Sequence, residues 1–131
     1  TKLSFNKIAC IDARGFIVGV AFSLKTKKNF FLLRKKDKLP YKTFSVKYDL
    51  EYGSEEMEMH RESVKKGDKI LIVDDLLATG GTTLAAIDLI NQAGGKAVSL
   101  AVLIDLPELK GREKIESLGL NVFSLFSFEG N

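Results

Sequence analysis

The feature that most constrains the fold is a short, continuously apolar run, Lys-Ile-Leu-Ile-Val-Asp at residues 69–74. The run is too short to span a membrane and lacks the polar alternation of a half-exposed strand. Consecutive Ile, Leu and Val residues are typical of a strand buried on both faces, as in a parallel sheet covered by helices. Further strands are predicted at residues 7–12, 29–34, 97–105 and 121–126.

Segments with helical spacing separate these strands. Helices are predicted at residues 16–26, 83–93 and 108–118, and glycines follow the last two. The alternation predicts an α/β fold, a Rossmann-like open and mainly parallel sheet with helices on both faces. At 131 residues the chain is expected to form a single domain, residues 1–131. Ligands of such sheets bind beyond the carboxyl ends of the strands.

One long segment, residues 35–66, interrupts this alternation. It contains Pro40, followed by apolar side chains at every second position, Phe44, Val46, Tyr48 and Leu50. Residues 51–61 are mostly polar. Alternation is typical of a hairpin, and long insertions in compact α/β domains often cover a site. We therefore predict a flexible hairpin flap at about residues 36–66.

Composition argues against several classes of protein. No stretch approaches the ~20 apolar residues of a spanning helix, so a membrane role is not expected. Cys10 is the only cysteine and lies in an apolar run, which predicts a buried side chain and no intrachain disulfide. Nothing at the start resembles a secretory signal, so a cytoplasmic location is expected. Lysines at residues 25–28 and 35–38 suit a small polyanion better than nucleic acid.

Groups suited to binding chemistry are concentrated where the apolar run ends. Asp74 and Asp75 close the predicted strand, and Gly80 and Gly81 follow just before a helix. Glycines allow several backbone N–H groups to converge, and a helix start adds unpaired donors and the positive end of its dipole. A phosphate monoester fits such a site, while the two carboxylates suit the vicinal hydroxyls of a ribose. Further donors are the hydroxyls of Thr79, Thr82 and Thr83.

Other interpretations of this loop fit less well. Successive side chains of a strand point to opposite faces, so both acids reach one sugar only if the chain bends at or just after Asp74; we predict that bend. A nucleoside-triphosphate loop needs a lysine after its last glycine, but Thr82 follows Gly81. The dinucleotide pattern G-x-G-x-x-G is absent from the loop. A purely structural helix start is disfavoured because adjacent carboxylates ending a buried strand are costly without a partner.

Residues 73–82, Val-Asp-Asp-Leu-Leu-Ala-Thr-Gly-Gly-Thr, resemble the phosphoribosyl-pyrophosphate signature of the type I phosphoribosyltransferases. Other segments resemble the adenine branch of that family, at residues 11–16, 34–40, 48–53 and 109–114. The resemblance covers nearly the whole chain and implies the same fold. It also implies an enzyme of purine salvage, which transfers 5-phosphoribosyl from phosphoribosyl pyrophosphate to adenine and yields AMP and pyrophosphate.

The resemblance implies roles for individual residues. The ribose hydroxyls would be held by Asp74 and Asp75. The 5′-phosphate would be bound by Ala78, Thr79, Gly80, Gly81 and Thr82. Pyrophosphate would be bound by Arg14, Arg34, Lys38 and Tyr52. The catalytic residues would be Glu51, Arg14 and Tyr52, with Tyr52 closing over the pyrophosphate and Glu51 exchanging a proton with the purine.

The resemblance also implies a cofactor and partners. Mg²⁺ would be held mainly through substrate oxygens and water, without a protein metal site. A homodimer is expected, with no nucleic-acid partner. Arg112 and Glu113, in the segment at residues 109–114, are interpreted as charges of a helix surface or an interface.

Base specificity is the open part of this interpretation. In the family, an N-terminal region ahead of the segment at residues 12–15 forms a hood over the base, and we expect that region to lie outside this sequence. Two alternatives remain: transfer to hypoxanthine, guanine or xanthine, and a non-catalytic regulator that senses phosphoribosyl pyrophosphate. The flap residues 51–53 and the absence of a helix-turn-helix pattern favour the enzyme.

Overall fold

A computed structural model describes residues 5–11, 15–35, 43–50 and 53–127. These ranges contain seven strands and three α-helices. The strands are β1 (Lys7–Ile11), β2 (Asn29–Lys35), β3 (Thr43–Leu50), β4 (Gly53–His60), β5 (Lys69–Leu77), β6 (Lys96–Asp105) and β7 (Asn121–Ser127). The helices are α1 (Gly15–Thr26), α2 (Gly81–Gln92) and α3 (Gly111–Ser117), with short 3-10 turns at Arg61–Ser63 and Pro107–Leu109.

All seven strands belong to one sheet in the order β3-β4-β2-β1-β5-β6-β7. Five neighbouring strands of this sheet are parallel to one another, namely β2, β1, β5, β6 and β7. Strand β4 is antiparallel to β2, and β3 is antiparallel to β4. The prediction of an open, mainly parallel sheet is therefore confirmed. Since the five parallel strands all end at the same edge, that edge is where the loops can form a site.

Helices cover both faces of the sheet, as predicted. On one face, α1 lies over an apolar cluster that contains Ile8, Cys10, Leu71 and Val73. The approach of α1 is close, since a side-chain carbon at Gly19 would overlap the Cys10 sulfur. Burial raises the pKa of the Cys10 thiol to about 11, which agrees with a packing role.

The opposite face of the sheet carries the larger core. Buried side chains of α2 and α3 pack there against β1, β2, β5 and β6, among them Ala86, Leu89, Ile90 and Ile115. None of the helices in the described ranges combines the length and apolar character that crossing a bilayer requires.

Strand β5 is longer than the sequence suggested, because it continues past the two acids to Leu77. Its register with β6 is constant from Leu71 to Leu77. Strict alternation would place Leu77 on the α1 face with Leu71 and Val73, but Leu77 packs in the core of the α2 face. The alternation of side chains is therefore not maintained between Val73 and Leu77, while β5 stays paired with β6.

The hairpin predicted in the long interruption is present as β3 and β4. These strands pair from Thr43 opposite His60 to Leu50 opposite Gly53. Strand β4, formed by the mostly polar stretch, carries the buried side chains Met57 and Met59 and joins the main sheet beside β2. The base of this hairpin is therefore part of the sheet.

The helix predicted at residues 108–118 is interrupted near its start. Lys110 has a left-handed backbone with φ of 62°, which separates the 3-10 turn at Pro107–Leu109 from α3. A left-handed residue cannot continue a right-handed helix. As a result α3 begins at Gly111, directly beside the carboxyl end of β5.

The amino end of β5 is held by Asp68. Its carboxylate lies 2.7 Å from Lys7 Nζ and accepts hydrogen bonds from Lys65 N–H at 2.8 Å and Asn6 Nδ2 at 2.9 Å. Burial acts to raise the pKa of Asp68, but these hydrogen bonds and the charge of Lys7 outweigh it and lower the pKa to about 2. Asp68 thus ties together the segments that precede β1 and β5.

Candidate active site

Strand β5 delivers two acids to the carboxyl edge of the sheet. Asp74 is buried, with 8% of its surface exposed, while Asp75 is half-buried. The backbone N–H of Asp75 donates a hydrogen bond of 2.8 Å to Asp74 Oδ1. This bond orients the Asp74 carboxylate, and the buried strand behind it holds both residues at a defined position.

A tight loop joins β5 to α2 immediately after the acids. Gly80 is the residue before the helix, and its φ of 92° lies in the left-handed region that favours glycine. Leu84 N–H donates to Gly80 O at 2.8 Å, which starts the helical hydrogen-bond pattern. Because glycine has no side chain with which to cap the helix, the N–H groups of the first turn are available to a ligand.

The residues predicted for the 5′-phosphate lie together in this loop and first turn. Thr79 is exposed, Ala78, Gly81 and Thr82 are half-buried, and Gly80 is buried. Thr83 differs from them because it is 2% exposed and faces the core. Of the three threonine hydroxyls that the sequence offers, those of Thr79 and Thr82 therefore remain as candidate donors to a ligand.

The back of this loop contacts a second loop. Leu106 N–H donates to Leu77 O at 2.9 Å, and Gly111 N–H donates to Ala78 O at 3.0 Å. The sequence interpretation assigned no role to this contact. The only signal was Gly111 inside the helix predicted at residues 108–118, and a single glycine within a helical pattern is common.

Arg34 stands two strands away from the acids. Cys10 of β1 pairs with both Leu32 and Val73, so Arg34 and Asp74 lie near the same edge, with backbones about 10 Å apart at the usual strand spacing. Arg34 is half-buried and lies directly opposite Glu58 of β4, which is 5% exposed. Directly opposite residues share a face of the sheet, so a buried carboxylate accompanies this arginine.

Four predicted site residues, Arg14, Lys38, Glu51 and Tyr52, lie outside the described residues. Their roles stay predictions.

Donor chemistry at the edge is compatible with a magnesium ion. Within the described residues, no group of three or more His, Cys, Asp or Glu side chains is placed to hold a metal. Mg²⁺ usually keeps several waters and is bound by one or two carboxylates together with substrate phosphates. Asp74 and Asp75 fit that smaller requirement.

Comparison with known proteins identifies the family of this site. The family model for the phosphoribosyl transferase domain matches residues 2–126. An adenine phosphoribosyltransferase of Rhizobium meliloti (strain 1021) is 52% identical over 126 residues, covering 96% of this chain and 70% of the relative. The chain belongs to the adenine phosphoribosyltransferase family. The family and the class of enzyme predicted from the sequence are thereby confirmed.

Solved structures of adenine phosphoribosyltransferases share the fold. The crystal structure of the Thermoanaerobacter pseudethanolicus enzyme superposes with a TM-score of 0.91 at 40% identity, covering 97% of this chain and 73% of that one. A Trypanosoma brucei adenine phosphoribosyltransferase, solved in complex with AMP, pyrophosphate and ribose-5-phosphate, has a TM-score of 0.83 at 27% identity. This alignment covers 97% of this chain and 58% of the Trypanosoma brucei chain.

Proposed function

We propose that this protein transfers the 5-phosphoribosyl group of phosphoribosyl pyrophosphate to adenine, giving AMP and pyrophosphate in cytoplasmic purine salvage. The observation that carries the proposal is the sequence of a buried strand, two acids, a glycine loop and a helix start at the carboxyl edge of the sheet. The ligands of the Trypanosoma brucei relative, which are AMP, pyrophosphate and ribose-5-phosphate, agree with it. We also propose that residues 1–131 act as one catalytic domain, with a flap at about residues 36–66, and that the enzyme is a homodimer.

Substrate positioning follows from the order of groups along β5. The 5′-phosphate is bound by N–H groups and hydroxyls of the loop and the first turn of α2, at Ala78, Thr79, Gly80, Gly81 and Thr82. The helix dipole favours its negative charge. Asp74 and Asp75 accept hydrogen bonds from the ribose hydroxyls. With both ends of the ribose phosphate held, C1 lies between the base and the leaving group.

On the other side of C1, cations stabilise the negative charge of the departing pyrophosphate. Breaking the bond from C1 to pyrophosphate leaves a ribose with oxocarbenium character and a highly charged leaving group, by analogy with other glycosyl transfers. Arg34 approaches from β2, and Arg14 and Lys38 are proposed to contribute from the neighbouring segments. Bound Mg²⁺ would neutralise part of the pyrophosphate charge, held by substrate oxygens, water and the carboxylates of Asp74 and Asp75.

Proton transfer completes the reaction. The attacking purine nitrogen forms the new bond to C1, and the purine gives up one proton. We assign that proton to Glu51 and the closure over pyrophosphate to Tyr52, both at the flap. Closure excludes water, which would otherwise hydrolyse the activated ribose.

Turnover assays with four bases test the proposal. The full chain is incubated with phosphoribosyl pyrophosphate, Mg²⁺ and adenine, hypoxanthine, guanine or xanthine, and nucleotide formation is measured. We expect AMP from adenine and a kcat/KM for the other bases at least about 100-fold lower, because a site that hydrogen-bonds the 6-amino group of adenine rejects the other three bases, which carry an oxygen at that position. Activity with another purine and none with adenine would contradict the assignment.

A further inference from the structure

The loop proposed to bind the 5′-phosphate is held from behind by the segment at residues 106–112. Leu77 O accepts the Leu106 N–H at 2.9 Å, and Ala78 O accepts the Gly111 N–H at 3.0 Å. In a trans peptide the C=O and the following N–H point in opposite directions. Because these two carbonyls point towards residues 106–111, the next N–H groups, those of Ala78 and Thr79, point away from that segment and towards the proposed phosphate.

The contact at Gly111 leaves no room for a side chain. A carbon added at Gly111 would overlap Ala78 O and would lie 3.0 Å from Gly80 N. From the other side, a carbon added at Gly80 would lie 3.4 Å from Gly111 Cα. Two glycine backbones thus pack against each other at the turn of the loop. Any side chain at residue 111 must push the Ala78 peptide towards the ligand side.

Arg112 fixes the position of α3, which carries Gly111 at its start. Its Nη2 donates to Val122 O of β7 at 2.7 Å, and its Nη1 lies 3.5 Å from Asp105 Oδ2 at the end of β6. Asp105 is only 2% exposed, and its Oδ1 has no hydrogen-bond partner in the part of the chain that the structure describes. A buried carboxylate in this state depends on the arginine for charge compensation. Arg112 therefore ties α3 to the last residue of β6 and to the second residue of β7.

We infer that Gly111 and Arg112 are positioning residues for the 5′-phosphate, which orient the Ala78 and Thr79 peptides without touching the ligand. The inference rests on the proposed function, because it takes the glycine loop to be the phosphate site. It assigns to Arg112 a more specific role than a surface or interface charge. Asp105 supports that role as the counter-ion of Arg112.

The test compares the binding of AMP with that of adenosine, which lacks only the phosphate. Calorimetric titration of the full chain gives both dissociation constants for the wild type and for Gly111→Ala. We expect Gly111→Ala to weaken AMP binding about tenfold or more, as when a hydrogen bond to a charged group is lost, and to change adenosine binding less than about twofold. In turnover assays the KM for phosphoribosyl pyrophosphate should rise more than kcat falls.

Gly95→Ala is the matched control for steric damage. Gly95 precedes β6 at the opposite edge of the sheet, and an added carbon there would lie 2.6 Å from Val64 Cγ1. This variant should lose stability, as Gly111→Ala does, yet keep the wild-type ratio of AMP to adenosine affinity. Equal ratios in both variants and the wild type would overturn the inference, since the contact would then be purely structural.

Arg112 provides a second route if Gly111→Ala does not fold. Arg112→Ala should lower the ratio of AMP affinity to adenosine affinity about threefold to tenfold. Arg112→Lys should restore part of that ratio, because it returns a positive charge beside Asp105. Glu116→Ala is its control, because Glu116 is an exposed partner of Arg112 at 3.4 Å and does not reach the loop. An unchanged ratio in Arg112→Ala would contradict the inference. Should the wild type itself bind AMP no better than adenosine, the phosphate site and the proposed function would both be refuted.

Discussion

The two ends of β5 carry acids that are used in different ways. At the amino end, Asp68 takes its hydrogen bonds and its ion pair from the protein itself, and these lower its pKa to about 2. At the carboxyl end, Asp74 and Asp75 stand before a loop whose turn is glycine and whose helix has no capping side chain at Gly80. The comparison teaches that one strand can serve stability at one end and ligand binding at the other, because at the second end a helix start without a capping side chain leaves backbone N–H groups to a ligand.

Neutralising the acids should produce the largest effects and separate the two ends. Asp74→Asn and Asp75→Asn replace a carboxylate acceptor by an amide, so each should lower kcat/KM for phosphoribosyl pyrophosphate about 10- to 100-fold, measured by steady-state assays with adenine. Asp68→Asn is the matched substitution at the other end and should keep kcat/KM within about twofold at pH 7. Equal loss of activity from all three variants would mean that the ends do not differ as described.

Arg34 offers the next largest effect, at the same edge as Asp74. Arg34→Gln removes a cation proposed to face pyrophosphate, and the KM for phosphoribosyl pyrophosphate should rise about tenfold while the KM for adenine changes little. Arg61→Gln serves as the control, since Arg61 lies over the Phe44 ring at 5.0 Å, beyond the end of β4 and away from that edge. If Arg34→Gln raised only the KM for adenine, the assignment of Arg34 would be wrong.

Acid titration should show a smaller effect, confined to the amino end. Because the pKa of Asp68 is lower in the folded state than the value of about 4 in an unfolded chain, its contribution is complete above pH 4 and is lost as the pH falls towards 2. The unfolding free energy should fall across that window by about 1 kcal/mol more in the wild type than in Asp68→Asn, after allowing for solvent screening. Urea denaturation curves of both proteins at several pH values measure this difference in unfolding free energy. Parallel curves for the two proteins would contradict this role of Asp68.

The smallest expected effect concerns Cys10, which lies between the two ends beneath α1. Burial and a pKa of about 11 should leave its thiol unreactive towards a thiol reagent at pH 8 in the native protein. Asp68→Asn should accelerate labelling slightly because it loosens the amino end, whereas Asp75→Asn should not. Rapid labelling of the native wild type would show that the packing of α1 on β1 is not as described.

Much of the fold was predictable because its signals are local. The runs of Ile, Leu and Val gave the strands β1, β2, β5, β6 and β7, and the glycines after α2 and α3 gave the helix ends. The place of β4 in the main sheet was not predicted, since its buried positions, Met57 and Met59, alternate with acidic residues. The left-handed Lys110 was also missed, because glycine or asparagine is the usual signal for that conformation.

The candidate site was predictable only in part. The loop and its acids are contiguous in sequence, so Asp74, Asp75 and Gly80 could be recognised together. The support behind the loop could not, because Gly111 comes from another element and reaches Ala78 only through the pairing of β5 with β6. Likewise, nothing local indicates that Glu58 is buried opposite Arg34, since the antiparallel addition of β4 to the sheet creates that pair.

The most direct test of the account is a ¹⁵N NMR titration of the full chain with ribose 5-phosphate. The account predicts that the backbone N–H signals of residues 78–82 shift with the bound fraction, while those of Lys65 and Lys69 at the amino end of β5 stay in place. Shifts confined to other parts of the chain, or none at ligand concentrations that support product formation, would contradict the claim that this loop binds the sugar phosphate.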